Sequence, residues 1–427
     1  MAREYRDSGI EWIGQIPKEW EMAAIKRLMS LYAGATPKSD DVELWNGNIP
    51  WITPADYKTE DVYVSHGRRN ISEKGLKSCA TTILPVNSIV FSKRAPIGLV
   101  VLNNVPLCTN QGCIGCVPKE NAAFSKYYYY VLSVFTEQFE LYGAGTTFKE
   151  ISATNFANFI VCIPSLSEQQ KIADYLDKVC DELDEMVALQ ETMIEELKAY
   201  KQSVITEAVT RGLNPNAPMR DSGIDWIGEI PESWEVRRIG RLFKLRDEKN
   251  YKPMEEVQLL SLYTGIGVFP HGEQEERGNK AVTVEGYKVV HKDDIVVNII
   301  LAWMGAIGVS DYDGVTSPAY DVYIPDFTKV VPHYFHYVFR TKGIAAECYK
   351  YGRGIMMMRW RTYSSEFKQI SVPYPSIEEQ QQIASYLDTK CSEIDSLIAL
   401  KQAKIEELKE YKKSVIYEYV TGKKEVC

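Results

Sequence analysis

Apolar residues fall into two patterns along this chain: long runs spaced four and three apart, and short clusters broken by turn residues. Within Pro164 to Thr210, Ile172, Leu176, Val179, Leu183, Met186, Met193, Leu197, Tyr200 and Val204 keep the alternating spacing, with only Gln190 interrupting. That spacing predicts a helix with a heptad seam. Pro164 and Ser165 precede it, Ser167 with Gln170 three residues later reads as a capping box, and Gly212 and Pro215 lie beyond its end. At about 1.5 Å per residue, some 44 helical residues would extend roughly 66 Å, the dimension of a spacer and not of a core element. A second run begins at Pro375. Its seam is expected through Ile383, Leu387, Ile394, Leu397, Leu400, Ile405 and Leu408, weakened by Lys390, Lys401 and Lys404. Apolar stripes this long need partners, so the two helices are expected to pair antiparallel with one globular domain near each end.

Between these runs, β-branched clusters at Ile83-Leu84, Ile89-Val90-Phe91, Val282-Thr283-Val284 and Asp294-Ile295-Val296-Val297 are separated by Gly, Pro, Asn and Asp. They predict strands and turns. Tyr127 to Tyr142 and Tyr334 to Tyr351 each predict a closing helix. The fold class is therefore α+β: two globular domains separated by two long antiparallel coiled-coil helices.

The chain also repeats itself, which gives the fold an internal pseudo-twofold character. The segment Asp7 to Glu21 returns as Asp221 to Glu235 with 11 of 15 positions identical, and Pro164 to Thr210 returns as Pro375 to Thr421 with 28 of 47 identical. Each repeat is a Trp-rich lead-in, a variable middle and a long helix. The middles, 29–163 and 243–374, share little beyond faint matches. Ser88-Ile89-Val90-Phe91 before Ile97-Gly98 parallels Asp294-Ile295-Val296-Val297 before Ile307-Gly308, and Gly143-Ala144-Gly145 parallels Gly352-Arg353-Gly354. One fold carrying two diverged surfaces is the expectation. The segments are 1–163 (first domain with lead-in), 164–215 (first helical spacer), 216–374 (second domain with lead-in) and 375–427 (second helical spacer).

Composition bounds the function. At 427 residues, 45% hydrophobic and 25% charged, the chain is an ordinary globular sequence of more than one domain. No stretch reaches the roughly 18 to 20 apolar residues of a membrane span, and the N-terminus has no apolar signal core, so a cytoplasmic location away from membranes is expected. Nine scattered cysteines read as reduced thiols and not as a disulfide framework. A net charge of -9 opposes phosphate binding at first sight. Glu168 to Arg211, however, holds 11 acids against 5 bases, and Glu378 to Lys424 holds 9 against 8. These helices carry seven of the nine excess negative charges, which leaves the domains near neutral and free to present basic patches.

Catalytic signatures are missing from the sequence. Gly265-Ile266-Gly267 lacks the third glycine and following helix of a dinucleotide loop, and neither a Gly-x-x-x-x-Gly-Lys-Ser/Thr loop nor an Asn/Asp-Pro-Pro-aromatic segment occurs. Cys108, Cys113 and Cys116 have no second pair at zinc spacing and read as buried strand thiols. His333 and His336 lack a third ligand, and Asp56 reads as a loop residue. No metal and no catalytic residue is assigned to this chain. A fused enzyme of nucleotide-driven cleavage or methyl transfer would need the missing loops. A coiled-coil scaffold without DNA function would have no reason to diverge only in its globular parts.

The twin Gly-Ile-Glu/Asp-Trp-Ile-Gly-x-Ile-Pro-x-x-Trp-Glu lead-ins and the twin Pro-Ser-x-x-Glu-Gln-Gln-x-Ile-Ala-x-Tyr-Leu-Asp helix openings resemble the specificity subunit of Type I restriction-modification systems. Trp45 to Pro54, Asn110-Gln111-Gly112 and Ser317-Pro318-Ala319-Tyr320 extend the resemblance into the domains. It implies a DNA-recognition subunit with two target recognition domains, each reading half of a split double-stranded DNA sequence. Two methyltransferase subunits would dock on the helices, and two motor-nuclease subunits would complete the complex. S-adenosylmethionine, Mg and ATP are then expected on those partners and no cofactor on this chain. Candidate DNA contacts are Lys93, Arg94, Asn110, Gln111, Thr146, Thr147 and Lys149 in the first domain, and Asn298, Ser317, Tyr320, Arg353, Arg359 and Arg361 in the second. Arg, Asn and Gln suit bidentate base contacts, while Lys and Thr suit phosphates. Met356-Met357-Met358 reads as a loop against DNA. Candidate partner-binding positions on the helices are Ile172, Leu176, Leu183, Leu197, Ile383, Leu387, Ile394 and Leu408.

Overall fold

A computed structural model describes residues 3–144, 149–264, 266–272, 283–354 and 360–426. Gly265, Thr146, Thr147, Met356, Met357, Met358 and Arg359 lie outside the described residues. The chain forms two compact units that cut across the sequence repeats: 1–190 with 403–427, and 191–402. Each unit therefore takes one domain together with one end of each long helix, where the sequence order had suggested four successive segments.

In the first unit, a five-stranded sheet runs in the order Met29–Ala33, Cys113–Pro118, Ile89–Lys93, Ile97–Asn103, Tyr63–Val64. All neighbours are antiparallel except the last pair. In the second unit a four-stranded sheet repeats the first four places, as Phe243–Leu245, Tyr320–Pro325, Ile295–Asn298, Ile307–Val309, all antiparallel. The faint sequence matches thus mark a shared frame. In both units the lead-in forms a short hairpin, Tyr5–Asp7 with Gln15–Pro17 and Met219–Asp221 with Glu229–Pro231. A following strand in each closes the domain, Glu21–Ala24 against Ile160–Ile163 and Glu235–Arg238 against Ser371–Tyr374.

What differs is grafted on this frame. The first domain adds a sheet of Cys108–Thr109, Trp45–Ile52 and Arg69–Ile71 around Trp45, Trp51 and Ile71. The second adds the hairpin Leu260–Tyr263 with Gly267–Pro270 and the pair Lys288–Val290 with Gly314–Thr316. Each expected closing helix is two helices, Ser125–Val134 with Thr136–Leu141 and Pro332–Val338 with Lys342–Tyr351. Thr136 and Thr341 stand at the breaks, where their hydroxyls donate to the Ser133 and Val338 carbonyls and compete with helix continuation. Two strand expectations fail. Leu84 makes only an isolated bridge to Leu107, and Thr283-Val284 lies in irregular chain, with Val282 outside the described residues.

The long helices span Leu166–Arg211 and Ile377–Val420. Their caps sit earlier than expected: the Glu168 amide bonds Ser165 Oγ at 3.3 Å and the Glu379 amide bonds Ser376 Oγ at 3.2 Å, so Ser165 and Ser376, not Ser167, open the helices. At the far ends, Gly212 and Gly422 adopt φ of +73° and +71°, a left-handed cap that favours glycine. A Cβ on Gly422 would stand 2.5 Å from Pro17 Cδ.

Within each unit the two helix segments run antiparallel. In the first, the Tyr175 and Tyr419 rings pack in a tilted pair at 4.5 Å and Asp184 pairs with Lys412 at 2.6 Å; in the second, Lys201 pairs with Asp395 at 2.7 Å. Ile172, Leu176 and Cys180 pack with Val415, Ile416 and Val420, and Val204, Ile205 and Ala208 pack with Ile383, Leu387 and Cys391. The seam is more regular than the sequence suggested. Buried or half-buried positions follow 176, 180, 183, 187, 190, 194, 197, 201, 204, 208, and the equivalent second-helix positions each lie 211 residues later, from Leu387 to Tyr419. Met186, Tyr200, Leu397 and Leu400, expected in the seam, are exposed. Gln190, Lys201, Lys401 and Lys412 occupy seam positions instead; the amines of Lys201 and Lys412 reach the exposed Asp395 and Asp184 while their aliphatic stems cover apolar surface.

Candidate nucleic-acid interface

The duplicated Glu-Gln of the helix openings is a structural lock. Gln169, almost wholly buried, accepts from the Phe124 amide at 2.8 Å and donates to the Pro164 carbonyl at 3.0 Å; Gln380 accepts from the Val331 amide at 2.8 Å and donates to the Pro375 and Lys329 carbonyls at 3.1 and 3.2 Å. Glu168 and Glu379 accept from the indoles of Trp20 and Trp234 at 2.9 and 3.1 Å. These motifs fix each domain to its helix, so recognition chemistry must lie elsewhere.

In the first domain the basic and amide candidates gather at one end of the sheet. Lys93 closes a strand, and its amide donates to the Gly112 carbonyl at 2.9 Å, which joins the 93–96 turn to the 110–112 turn. Asn110 is spent on this scaffold: its side chain accepts from the Gly112 amide at 2.9 Å and its amide donates to Ile52. Gln111 projects from the same turn, exposed, bonded to the Thr36 hydroxyl. Glu150 bridges the two basic candidates, 2.7 Å from Lys93 Nζ and 3.6 Å from Arg94, and Lys149 beside it is exposed. The structure therefore brings Lys93, Arg94, Gln111 and Lys149 to one end of the domain and withdraws Asn110 into it. Trp45 and Trp51 are core residues, their indoles donating to the Lys38 and Ala35 carbonyls.

Cys108, Cys113 and Cys116 are buried strand thiols, and burial pushes Cys108 and Cys113 up to about 11 and 12. Asp56 closes a capping box with Thr53.

In the second domain, Asn298 and Ser317 are likewise structural. Asn298 is buried and accepts from the Ile300 amide at 3.0 Å, and Ser317 Oγ accepts from the Ala319 amide at 3.3 Å. Tyr320 is half-buried and bonded to Asn298, its phenol raised by burial. Arg353 and Arg361 face each other across an antiparallel bridge, each amide donating to the other's carbonyl at 3.0 Å. The exposed Arg353 guanidinium reaches Glu366 at 3.1 Å and lies 5.2 Å over the Tyr363 ring.

Sequence reasoning missed the aromatic neighbours of these arginines. Trp360 stacks on Tyr349 at 5.0 Å, and Trp303 lies 6.0 Å from Tyr349. The hairpin turn from 299 to 306 exposes Leu301 and Met304. Apolar residues inside a turn were the available signal, since turns are ordinarily polar. The Thr362 amide donates to Ile299 at 2.9 Å, as Arg94 bridges Glu150 in the first domain, so both clusters occupy the same place in the frame. One is ionic and amide-rich, the other aromatic and cationic.

The chain is similar to known proteins along most of its length. It matches the family described as Type I restriction modification DNA specificity domain twice, over residues 17–199 and 231–410. It is 35% identical over 257 residues to the Type I restriction enzyme MjaIX specificity subunit of Methanocaldococcus jannaschii, covering 57% of this chain and 56% of that protein. It is 29% identical over 185 residues to the EcoR124I/EcoR124II specificity subunit of Escherichia coli, covering 41% and 42%. The chain thus spans about half the length of these two relatives, whereas at 22% identity it covers 94% of the MjaVIII specificity subunit. Among solved structures, a chain from a type I R-M system superimposes with a TM-score of 0.72 at 13% identity, covering 95% of this chain and 98% of that one. The HsdS subunit from Thermoanaerobacter tengcongensis gives 0.53 at 13%, with the same coverage. With a match on both repeats that takes in most of the residues, the chain belongs to the Type I restriction modification DNA specificity family.

Proposed function

We propose that this chain is the non-catalytic DNA-recognition subunit of a Type I restriction-modification complex, its two domains each reading one half of a bipartite, asymmetric double-stranded target. The observation that carries this reading is the placement of two unlike polar clusters at the same point of one repeated frame. Arg94, steadied by Glu150, and Gln111 have the donor sets for guanine and adenine edges; Lys93 and Lys149 suit phosphates. In the second domain Arg353 and Arg361 supply the cationic contacts, and Leu301 and Met304 suit the apolar thymine methyl.

Two methyltransferase subunits dock on the helices, and motor-nuclease subunits join them. S-adenosylmethionine, Mg and ATP belong to those subunits, in keeping with the missing nucleotide loops in this sequence. The excess negative charge is carried by the helices, which leaves the rest of the chain near neutral and answers the electrostatic objection to DNA binding. Methylome sequencing of a host expressing this chain with its cognate methyltransferase tests the reading. A split motif with two unlike halves and an indifferent spacer is expected; unmodified DNA, or a continuous or palindromic motif, overturns it.

A further inference from the structure

In the second unit an open groove of about 480 Å³ runs beside the helix pair, lined among others by Lys201, Tyr337, Arg340, Ser392, Asp395 and Ser396. Its carboxylates are engaged. Asp395 holds Lys201 at 2.7 Å, and Asp388 accepts from Tyr337 at 2.6 Å and contacts His333 Nε2 at 2.7 Å. Arg340 is not engaged in this way: among the described residues no carboxylate bonds its half-buried guanidinium, Asp395 acts on it only through space, and burial lowers its pKa from the usual value. A partly desolvated cation with a fork of N–H donors is costly unless an acceptor completes it.

The first repeat has the same positions with different charge. Tyr130 bonds Asp177 as Tyr337 bonds Asp388, which places Ser133 where Arg340 stands. The helix repeat places Asp181 and Glu185 where Ser392 and Ser396 stand. Two cations and two carboxylates make the second groove neutral, whereas Lys412 and Lys126 against Asp177, Asp181, Asp184 and Glu185 leave the first acidic.

We infer that the Arg340 groove receives an acidic side chain of the docked methyltransferase subunit, and that the equivalent place in the first repeat does not. The inference rests on the proposed function. A single planar carboxylate matches the guanidinium fork and the adjacent Ser392 hydroxyl. A DNA backbone suits the place less well, because Asp388 and Asp395 line it and would repel a polyanion. Two identical partner subunits would then bind with unequal affinity.

Titration calorimetry of the full chain with its purified methyltransferase subunit tests this. Arg340→Ser is expected to weaken one of the two binding steps at least tenfold and leave the other unchanged, with Arg340→Lys recovering part of the loss. Ser392→Asp with Ser396→Asp, at two exposed helix positions where folding is safe, should produce the same loss by supplying carboxylates internally. Two partners bound with wild-type affinity by both the Ser variant and the double Asp variant would overturn the assignment. A loss of DNA affinity with partner binding intact would make a phosphate the occupant and also overturn it. A wild-type chain that bound no methyltransferase subunit would refute the parent reading itself.

Discussion

Replacing Gln380 with leucine removes the lock on the second domain without changing side-chain size greatly. The substitution strands a buried Val331 amide and deprives the Pro375 and Lys329 carbonyls of their donor. An orphaned buried amide costs about 1 to 3 kcal/mol and each lost carbonyl bond about 1 kcal/mol; after the apolar gain of leucine, a net loss of about 3 kcal/mol remains. Because the chain has two compact units, a single two-state unfolding energy is the wrong readout, and hydrogen exchange resolved by segment is the right one. At about 1.4 kcal/mol per factor of ten, amides of Glu235–Arg238 and Ser371–Tyr374 should exchange on the order of 100-fold faster, with Glu21–Ala24 and Ile160–Ile163 unchanged. Gln169→Leu should do the reverse. Acceleration under about threefold, or equal loosening of both units by either variant, would refute the lock.

Leu183→Asp buries a carboxylate in the seam and should cost about 3 kcal/mol or more, while Met186→Asp, at an exposed position, should stay within about 0.5 kcal/mol, both read from segment-resolved hydrogen exchange in the first unit. Asp395→Ala should cost only about 0.5 kcal/mol, because the carboxylate that holds Lys201 is more than half exposed, and the difference from wild type should vanish at high salt. His336 is held neutral, chiefly by burial, its pKa lowered to about 3. With the folded value below the unfolded one, its contribution is complete above the unfolded value and is lost as pH falls through the window from about 6.5 to 3, on the order of 2 kcal/mol by pH 5. His336→Gln should flatten that slope in the second unit; an unchanged slope refutes the assignment. Glu150→Gln should release Lys93 and Arg94, relaxing only the first half-site and steepening the salt dependence of DNA binding by about one to two counterions. An unaltered motif and salt slope would refute the positioning role of Glu150.

The repeats and the helices were legible because identity at a fixed offset and a heptad spacing survive without any knowledge of tertiary contacts. The seam was misread where chemistry and geometry conflict. Met186 and Tyr200 are apolar but face outward, while Gln190 and Lys201 sit inside, and spacing from apolar residues alone cannot separate the two. The candidate site was half legible for a related reason. Arg94, Gln111 and Arg353 were chosen by residue type and are accessible, but Asn110, Asn298 and Ser317 have the same type and spend their side chains on turns. Glu150 and Trp303 escaped notice because their role depends on what faces them across the frame.

Exchange of residues 243–374 for the corresponding segment of another specificity subunit, followed by methylome sequencing with the same methyltransferase, tests the central claim most directly. Independent domains on a repeated frame predict that one half of the modified motif changes while the other half stays as it was. A motif rewritten in both halves, or left unchanged in both, would contradict recognition by two separate domains.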